Sequence, residues 1–181
     1  MKTIDQMVEA ILAHEGGFAH HPNDRGGPTN FGITQATYSR WLGRQASLAE
    51  VQNMREETAK EIYLTNYYFA PRINGFDADV QPQVFDCAVN HGPRQAIKFV
   101  QTVVNLAGFG VIAVDGVNGP KTTSAAHRAY EAMQAYFINA IADERIHFYK
   151  QMVSHDPSQR VFLAGWLRRA RAFKVEIGAA A

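Results

Sequence analysis

The chain contains one cysteine, Cys87, in 181 residues. A single cysteine excludes a disulfide within the chain, so the cysteine usage gives no indication of folding in an oxidising compartment. Since Cys87 lies between Phe85 and Val89, we expect it to pack in a core as a small apolar side chain.

Long apolar runs are absent as well. No stretch reaches the roughly 18 consecutive apolar residues of a membrane-spanning helix. Residues 1–15 alternate polar and apolar side chains without the apolar run of a secretory leader. We therefore expect neither a transmembrane segment nor a signal peptide. The formal net charge is only +1, so no global field favours a nucleic-acid partner.

Apolar residues recur at helical spacing along most of the chain, and the sequence predicts a mainly α fold. The hydrophobic content of 46% suffices for one sizeable core, which two lobes can share. Trp166 is expected to anchor the last two helices to each other. The predicted helices are residues 4–15, 34–42, a short helix opened by the Ser47 and Glu50 capping-box pattern, 56–69, 79–90, 93–106, a helix from about residue 120, 131–153 and 158–177.

Glu15 shares the apolar face of the first predicted helix. Ile4, Val8 and Ile11 recur at three- and four-residue spacing, and at about 100° per residue Glu15 falls on the same face. Burial and the negative end of the helix dipole are both expected to raise the pKa of its carboxyl group, as a general acid near neutral pH requires. The glycines at residues 16–17 are expected to end the helix and leave room for a ligand. The alternative is a solvated glutamate near a helix end.

Residues 20–28, His-His-Pro-Asn-Asp-Arg-Gly-Gly-Pro, are expected to fold back as turns or a short hairpin. Such a return would bring Asp24 opposite Glu15. Glycosidic hydrolysis needs such a pair, because one carboxylic acid protonates the leaving oxygen while a second carboxylate activates water or attacks the anomeric carbon. Thr29 would help to hold the water. The alternatives are a turn residue for Asp24 and a cap for Thr29.

Residues 15–17, Glu-Gly-Gly, and 27–33, Gly-Pro-Thr-Asn-Phe-Gly-Ile, resemble the N-terminal signature of the glycoside hydrolase family 108 muramidases. This family includes phage endolysins and secretion-associated bacterial lysozymes. The order of Glu15, Asp24 and Thr29 is also similar to the Glu-x8-Asp-x5-Thr triad of phage-type lysozymes, with four residues instead of five before Thr29.

Three later segments extend the resemblance over nearly the whole chain. Residues 85–93 are similar to the family's Asp-x-Ala-Val-Asn-x-Gly segment, and residues 162–169 to its Phe-Leu-x-Gly-Trp-Leu-x-Arg element. Residues 114–122 resemble the Val-Asp-Gly-x-x-Gly-Pro-x-Thr turn of peptidoglycan-binding domains. The resemblance implies a lysozyme-like helical catalytic lobe over residues 1–92, with a glycine-rich loop or short hairpin at the active site. It implies a helical lobe like the predicted peptidoglycan domain over residues 93–181, packed as one unit with the first.

The activity implied is that of an endolysin-type N-acetylmuramidase. It would hydrolyse the β-1,4 bond between N-acetylmuramic acid and N-acetylglucosamine in peptidoglycan, with inversion, using Glu15 as general acid beside Asp24 and Thr29. We expect a monomer that needs no cofactor or metal. Without an export signal, it would be made in the host bacterial cytoplasm and reach the periplasmic wall after holin-type release; a secretion-linked bacterial muramidase is the alternative. The predicted sugar-contacting residues are Asn30, Trp41 and Asn90.

Three other functions stay open at this stage. A lytic transglycosylase also uses a glutamate but needs no second carboxylate. A zinc amidase or peptidase would use His14, His20, His21 and Asp24, although their spacing matches no zinc motif. A non-catalytic wall-binding module is the third, and the apolar phase of Glu15 argues against it.

Basic residues concentrate in the last predicted helix. From Ser158 onward there is one acid, Glu176, and the cations outnumber it. Their face is either solvated or in weak contact with the anionic envelope. The cations are Arg160, Arg168, Arg169, Arg171 and Lys174.

Overall fold

The computed structural model describes residues 2–13, 16–20 and 27–177. The chain divides into two compact units, Lys2–Ala70 and Pro71–Ala181. Almost all of the regular structure in the described residues is helical, which confirms the predicted mainly α fold. Among the helices of these residues, none has the length and apolarity needed to cross a lipid bilayer.

The first unit contains four α-helices and a two-stranded antiparallel sheet in its described part. Helix α4 continues directly into a π-helical segment, Leu64–Phe69, so the predicted helix 56–69 is confirmed with a wider final turn. The elements are α1 (Ile4–Leu12), β1 (Thr29–Asn30), β2 (Ile33–Thr34), α2 (Gln35–Leu42), α3 (Leu48–Gln52) and α4 (Glu56–Tyr63).

Helix α1 follows the predicted apolar periodicity only in part. Thr3 opens it through a capping box. Val8 and Ile11 are each 2% exposed, whereas Ile4, predicted on the same face, is 38% exposed. The described helix ends at Leu12. Glu15 lies outside the described residues, so its position on the apolar face stays a prediction.

Helix α2 begins and ends, and helix α3 begins, where the sequence predicts, because the signals are local. Thr34 caps the start of α2, and Gly43 ends it with a left-handed φ of 69°. Ser47 and Glu50 form the predicted capping box at α3. In each case a side chain or a glycine satisfies the backbone groups that a helix end leaves without partners.

All regular secondary structure of the second unit is helical among its described residues. Its core consists mainly of buried side chains from α5, α6 and α8, among them Val84, Phe85, Val100, Phe137 and Ile141. The elements are a 3₁₀ turn (Ile73–Gly75), α5 (Gln81–His91), α6 (Pro93–Leu106), α7 (Pro120–Met133), α8 (Ala135–His155), a 3₁₀ turn (Pro157–Gln159) and α9 (Arg160–Arg171).

Two predicted helix boundaries in this unit are wrong. The predicted helix 131–153 is split, because Gln134 takes a φ of 48° and separates α7 from α8. The last helix ends at Arg171 rather than near residue 177. Helix α9 does not continue, because the backbone of Val175 instead exchanges hydrogen bonds of 2.9 and 3.0 Å with the side-chain amide of Asn139.

Trp166 joins the last two long helices, as predicted. Its ring stacks on Tyr149 of α8 at 5.3 Å between centroids. Cys87 is also buried, as predicted, and burial raises the pKa of its thiol to about 12.

Candidate active site

The predicted glycine-rich loop leads into a tight hairpin. Asn30 pairs with Ile33 across a two-residue turn formed by Phe31 and Gly32. Both turn residues have positive φ, 49° and 73°, as the type I′ hairpin turn requires. A phenylalanine rarely adopts this conformation. The buried Tyr63 of α4 stabilises it, because its hydroxyl donates a 2.7 Å hydrogen bond to the carbonyl of Phe31.

A third stretch of chain pairs with the hairpin. Ala19 and Thr29 exchange two backbone hydrogen bonds of 2.9 Å, and Thr29 faces Thr34 on its other side. The chain therefore reverses direction between Ala19 and Thr29, as the sequence predicts. Thr29 is the central residue of this arrangement, with its backbone fixed by both neighbours.

Glu15 and Asp24 lie outside the described residues, and their roles stay predictions. The residues next to Glu15 are described. Gly16 and Gly17 are exposed and would meet no described atom within 4 Å if each carried a Cβ. Among the described residues, no packing contact therefore requires glycine at these positions.

The Asn30 side chain is turned into the protein. Asn30 is 5% exposed, and its amide nitrogen donates 3.0 Å hydrogen bonds to the carbonyls of Val51 and Gln52 at the end of α3. Both N–H donors of the amide are therefore used to hold the hairpin against α3. A sugar contact by Asn30 stays a prediction that only its Oδ1 atom can fulfil.

The other two predicted sugar contacts lie in different units. Trp41 is half-buried on α2, directly after the hairpin in sequence. Asn90 is exposed on α5 in the second unit, and its amide donates a 2.7 Å hydrogen bond to the carbonyl of Asp86 one turn earlier. These positions leave part of each side chain accessible, and the contacts with sugar stay predictions.

Sequence reasoning missed the role of Asp86. This carboxylate is 5% exposed and pairs with two arginines. Arg145, itself 1% exposed, reaches Oδ2 at 2.7 Å, while Arg169 reaches Oδ1 at 2.8 and 2.9 Å. Asp86 lies in residues 85–93 and Arg169 in residues 162–169, two segments that resemble motifs of the family. An aspartate between Phe85 and Cys87 was the available signal, since a buried acid needs a partner.

Two further side chains extend this buried cluster. Arg145 Nε donates to the Tyr149 hydroxyl at 2.7 Å, and the same hydroxyl lies 2.7 Å from His91 Nε2. Because the arginine can only donate, the Tyr149 oxygen accepts from it and donates to the imidazole. Burial, aided by the charge of Arg145, lowers the pKa of His91 to about 4. Burial also raises the pKa of Tyr149 to about 12. The cluster therefore holds a neutral histidine and joins α5, α8 and α9.

The basic face predicted for the last helix is smaller than the sequence suggests. Arg169 is turned inward to Asp86, and Lys174 pairs with Asp143 at 2.6 Å. The exposed arginines of α9 are Arg160, Arg168 and Arg171.

The described residues contain no group of three or more histidine, cysteine, aspartate or glutamate side chains arranged to bind a metal ion. Three residues of the zinc alternative, His14, His21 and Asp24, fall outside this part of the chain.

Comparison with known proteins identifies the class. Residues 8–92 match the family described as glycosyl hydrolase 108, and residues 95–171 match the predicted peptidoglycan domain. A solved structure of Brucella abortus SagA is 32% identical, with a TM-score of 0.70 over 97% of this chain and 98% of that one. No curated protein matches the chain. The chain belongs to the glycosyl hydrolase 108 family. It is a lysozyme-like glycoside hydrolase that acts on peptidoglycan.

Proposed function

We propose that this protein is an N-acetylmuramidase. It hydrolyses the β-1,4 bond between N-acetylmuramic acid and N-acetylglucosamine, with Glu15 as the general acid. The observation that carries the proposal is the exposed Gly16–Gly17 segment directly after Glu15, where an added Cβ would meet no described atom within 4 Å. A glycine pair leaves the backbone open to close approach by a ligand.

The second carboxylate is proposed to be Asp24. Support comes from the pairing of Ala19 with Thr29, which joins the two ends of the loop that contains Asp24. The first end of this loop begins four residues after Glu15. Asp24 activates a water molecule that attacks the anomeric carbon while Glu15 protonates the leaving oxygen. We propose inversion, which needs carboxyl groups about 6.5–9.5 Å apart so that water fits between them.

Thr29 is proposed to orient the attacking water through its hydroxyl. Its backbone hydrogen bonds to Ala19 fix the position of its Cα, which supports a role that depends on precise placement. Thr29→Val keeps the branched shape and removes the hydroxyl. Its expected effect is a lower kcat with an unchanged unfolding midpoint.

The decisive experiment is digestion of purified sacculi in ¹⁸O water, with mass spectrometry of the released fragments. Wild type should release fragments whose new reducing N-acetylmuramic acid ends carry one ¹⁸O atom. Glu15→Gln should reduce the rate by about 10²–10⁴-fold, the range expected when a general acid is removed. Glu9→Gln, an exposed glutamate on α1, is the matched control and should retain the wild-type rate.

Three outcomes would overturn the proposal. Anhydro sugar ends without ¹⁸O would identify a lytic transglycosylase. A wild-type rate for Glu15→Gln would place the chemistry on another residue. Binding of sacculi by wild type without release of any fragment would indicate a non-catalytic wall-binding module.

We also propose an endolysin role, in which the enzyme made in the cytoplasm reaches the wall after holin-type release. The proposal is supported by the resemblance of residues 15–17 and 27–33 to the N-terminal signature of a family that includes phage endolysins. Expression in a bacterium should then cause lysis when a holin is co-expressed and little lysis without it. Equal lysis in both cultures would contradict this role.

A further inference from the structure

The loop that joins α6 and α7, residues 107–119, exposes apolar side chains. Val111 is fully exposed, and Val114 and Val117 are 44% and 58% exposed. The loop is nevertheless held in place. The Asn105 side chain exchanges hydrogen bonds of 2.8 and 2.9 Å with the backbone of Ile112. These two bonds fix the backbone of the loop at Ile112.

A second anchor lies at the far end of the same loop. The Gln101 side-chain amide accepts from the backbone N–H of Gly116 at 2.9 Å and donates to the Asp115 carboxylate at 2.9 Å and to the Val117 carbonyl at 3.1 Å. The loop is thus fixed at its middle and near its second end by amide side chains of α6.

A cavity of about 480 Å³ lies on the α6–α8 side, and one of about 380 Å³ lies beside this loop. The smaller one combines an apolar floor with two cations and a hydroxyl. It is lined by Ile112, Pro120, Lys121, Ser124, Ala125 and Arg128.

Arg128 is fixed before any ligand arrives. Its Nη1 atom donates to the Ser124 hydroxyl at 2.9 Å, and its Nη2 atom donates to the Phe109 carbonyl at 2.8 Å. A guanidinium has five N–H donors, so several stay available. Among the described residues, neither Arg128 nor Lys121 pairs with a carboxylate. The cavity therefore offers uncompensated positive charge on a preorganised frame.

We propose that this cavity, named here the loop–α7 cleft, binds the stem peptide of peptidoglycan through a carboxylate. The cleft lies within the residues matched by the predicted peptidoglycan domain. A stem peptide combines small alanine side chains with free carboxylates, and these match an apolar floor flanked by a lysine and an arginine. Glycan strands offer mainly hydroxyl and acetamido groups, for which two cations are a poor match.

The larger cavity has no lysine or arginine among its described lining residues. It is lined in part by Asp143, Glu144 and His147. Acidic side chains repel a carboxylate, so charge complementarity selects the loop–α7 cleft for this ligand.

Stem-peptide binding extends the proposed function. It rests on that function only in taking peptidoglycan as the polymer that the protein binds. The cleft would hold the enzyme on the wall by contacts that are separate from the reacting sugars. Loss of these contacts should weaken sacculus binding and raise KM while kcat stays constant.

The test uses the full-length protein and a peptide without glycosidic bonds, so that binding is measured without cleavage. The probe is the synthetic tetrapeptide L-Ala-γ-D-Glu-diaminopimelate-D-Ala, titrated by calorimetry and followed by NMR. Lys121→Gln should weaken binding about tenfold, as expected for loss of one charge-assisted hydrogen bond. Lys121→Arg should restore most of the affinity. Lys150→Gln, an exposed cation of α8, is the matched control and should bind as the parent does.

Amidation of the peptide carboxylates supplies the reciprocal test. The amidated peptide should bind the parent protein as weakly as the free peptide binds Lys121→Gln. NMR shifts should concentrate at Ile112, Ser124 and Ala125. Because Lys121 is exposed, its substitution should leave the fold intact.

Equal affinity of parent and Lys121→Gln would overturn the proposal, as would equal affinity for free and amidated peptide. Shifts at the cleft on titration with a chitooligosaccharide, without any from the peptide, would make it a glycan subsite instead. Each outcome is independent of whether Glu15 is the general acid, since no measurement depends on turnover.

Discussion

At the scale of single residues, Asn30 shows how one amide can hold two elements together. The last carbonyls of a helix have no partner within it. The Asn30 amide supplies donors to two of them, on Val51 and Gln52, and so fixes the hairpin against α3. The same amide was predicted to contact sugar, and one substitution can separate the two roles.

Asn30→Ala should destabilise the protein by about 1–3 kcal/mol, because it removes two hydrogen bonds that hold the hairpin against α3. The measurement is urea denaturation of full-length protein, with Asn53→Ala, an exposed asparagine next to α3, as control. A raised KM with an unchanged unfolding free energy would instead assign Asn30 to substrate binding.

His91 gives the protein a dependence of stability on pH. Its pKa is about 4 in the folded protein because the imidazole is buried near Arg145, against about 6.5 for an unfolded chain. Between these values the unfolded state binds more protons. The contribution of His91 to stability is therefore complete above about pH 6.5 and is lost as the pH falls toward 4.

His91→Gln should reduce this dependence, because glutamine can still accept the Tyr149 hydrogen bond and does not titrate. The measurement is the urea midpoint of both proteins at pH 7 and pH 5. The wild-type midpoint should fall more steeply than that of the variant. Parallel falls would show that other groups account for the effect.

At the scale of elements, Gly116 determines how the α6–α7 loop passes α6. Its φ is 76°, and a Cβ at this position would lie 2.6 Å from the carbonyl oxygen of Arg94. Gly108, in the same loop, has a similar φ of 79° but would meet nothing within 4 Å. Comparing substitutions at the two glycines therefore separates the free-energy cost of the left-handed backbone from the cost of the steric collision.

Gly108→Ala should cost about 1–2 kcal/mol for the left-handed conformation alone. Gly116→Ala should cost clearly more, since the loop must also move away from Arg94. Unfolding free energies from urea titration compare the two. Equal losses would mean that the collision is relieved without cost.

The elements that the sequence predicted well are those fixed by local chemistry. Thr34, Gly43 and Ser47 set helix ends through bonds to backbone groups a few residues away, so their signals are readable from the sequence. The break at Gln134 depends on a positive φ in a residue that rarely adopts one. The early end of α9 depends on Asn139, which is 36 residues from Val175. Contacts of this range leave no periodic signal.

The candidate site was predictable to a similar extent. The return of the chain before Thr29 follows from its proline and glycine content, and the structure confirms it. The inward turn of Asn30 and the use of Arg169 by Asp86 were not predictable, because each depends on a partner distant in sequence. Helical periodicity placed Arg169 in a basic patch and gave no indication of a buried carboxylate 83 residues away.

At the scale of the whole molecule, the compact units and the family regions divide the chain at different places. In the sequence, the boundary between the compact units falls between Ala70 and Pro71. The boundary between the two family matches falls after residue 92. Helix α5 lies between these boundaries. It carries Asp86, the partner of two arginines in α8 and α9.

A fragment of residues 71–181 should fold alone, and a fragment of residues 93–181 should not. The shorter fragment lacks Asp86, and breaking a buried ion pair costs about 3–5 kcal/mol. Circular dichroism and urea titration should show cooperative unfolding only for the longer fragment. The longer fragment with Asp86→Asn is the control for the ion pairs alone. A cooperative transition in the shorter fragment would refute this account.

The pairing of Asp86 with Arg145 and Arg169 also determines when the second unit can complete its fold during translation. During translation the aspartate leaves the ribosome well before either arginine is made, and until then its carboxylate has no charge partner in the nascent chain. Maturation of the second unit must therefore wait for nearly complete synthesis. Ribosome pausing upstream of α9 should prolong exposure of α5 to chaperones and proteases.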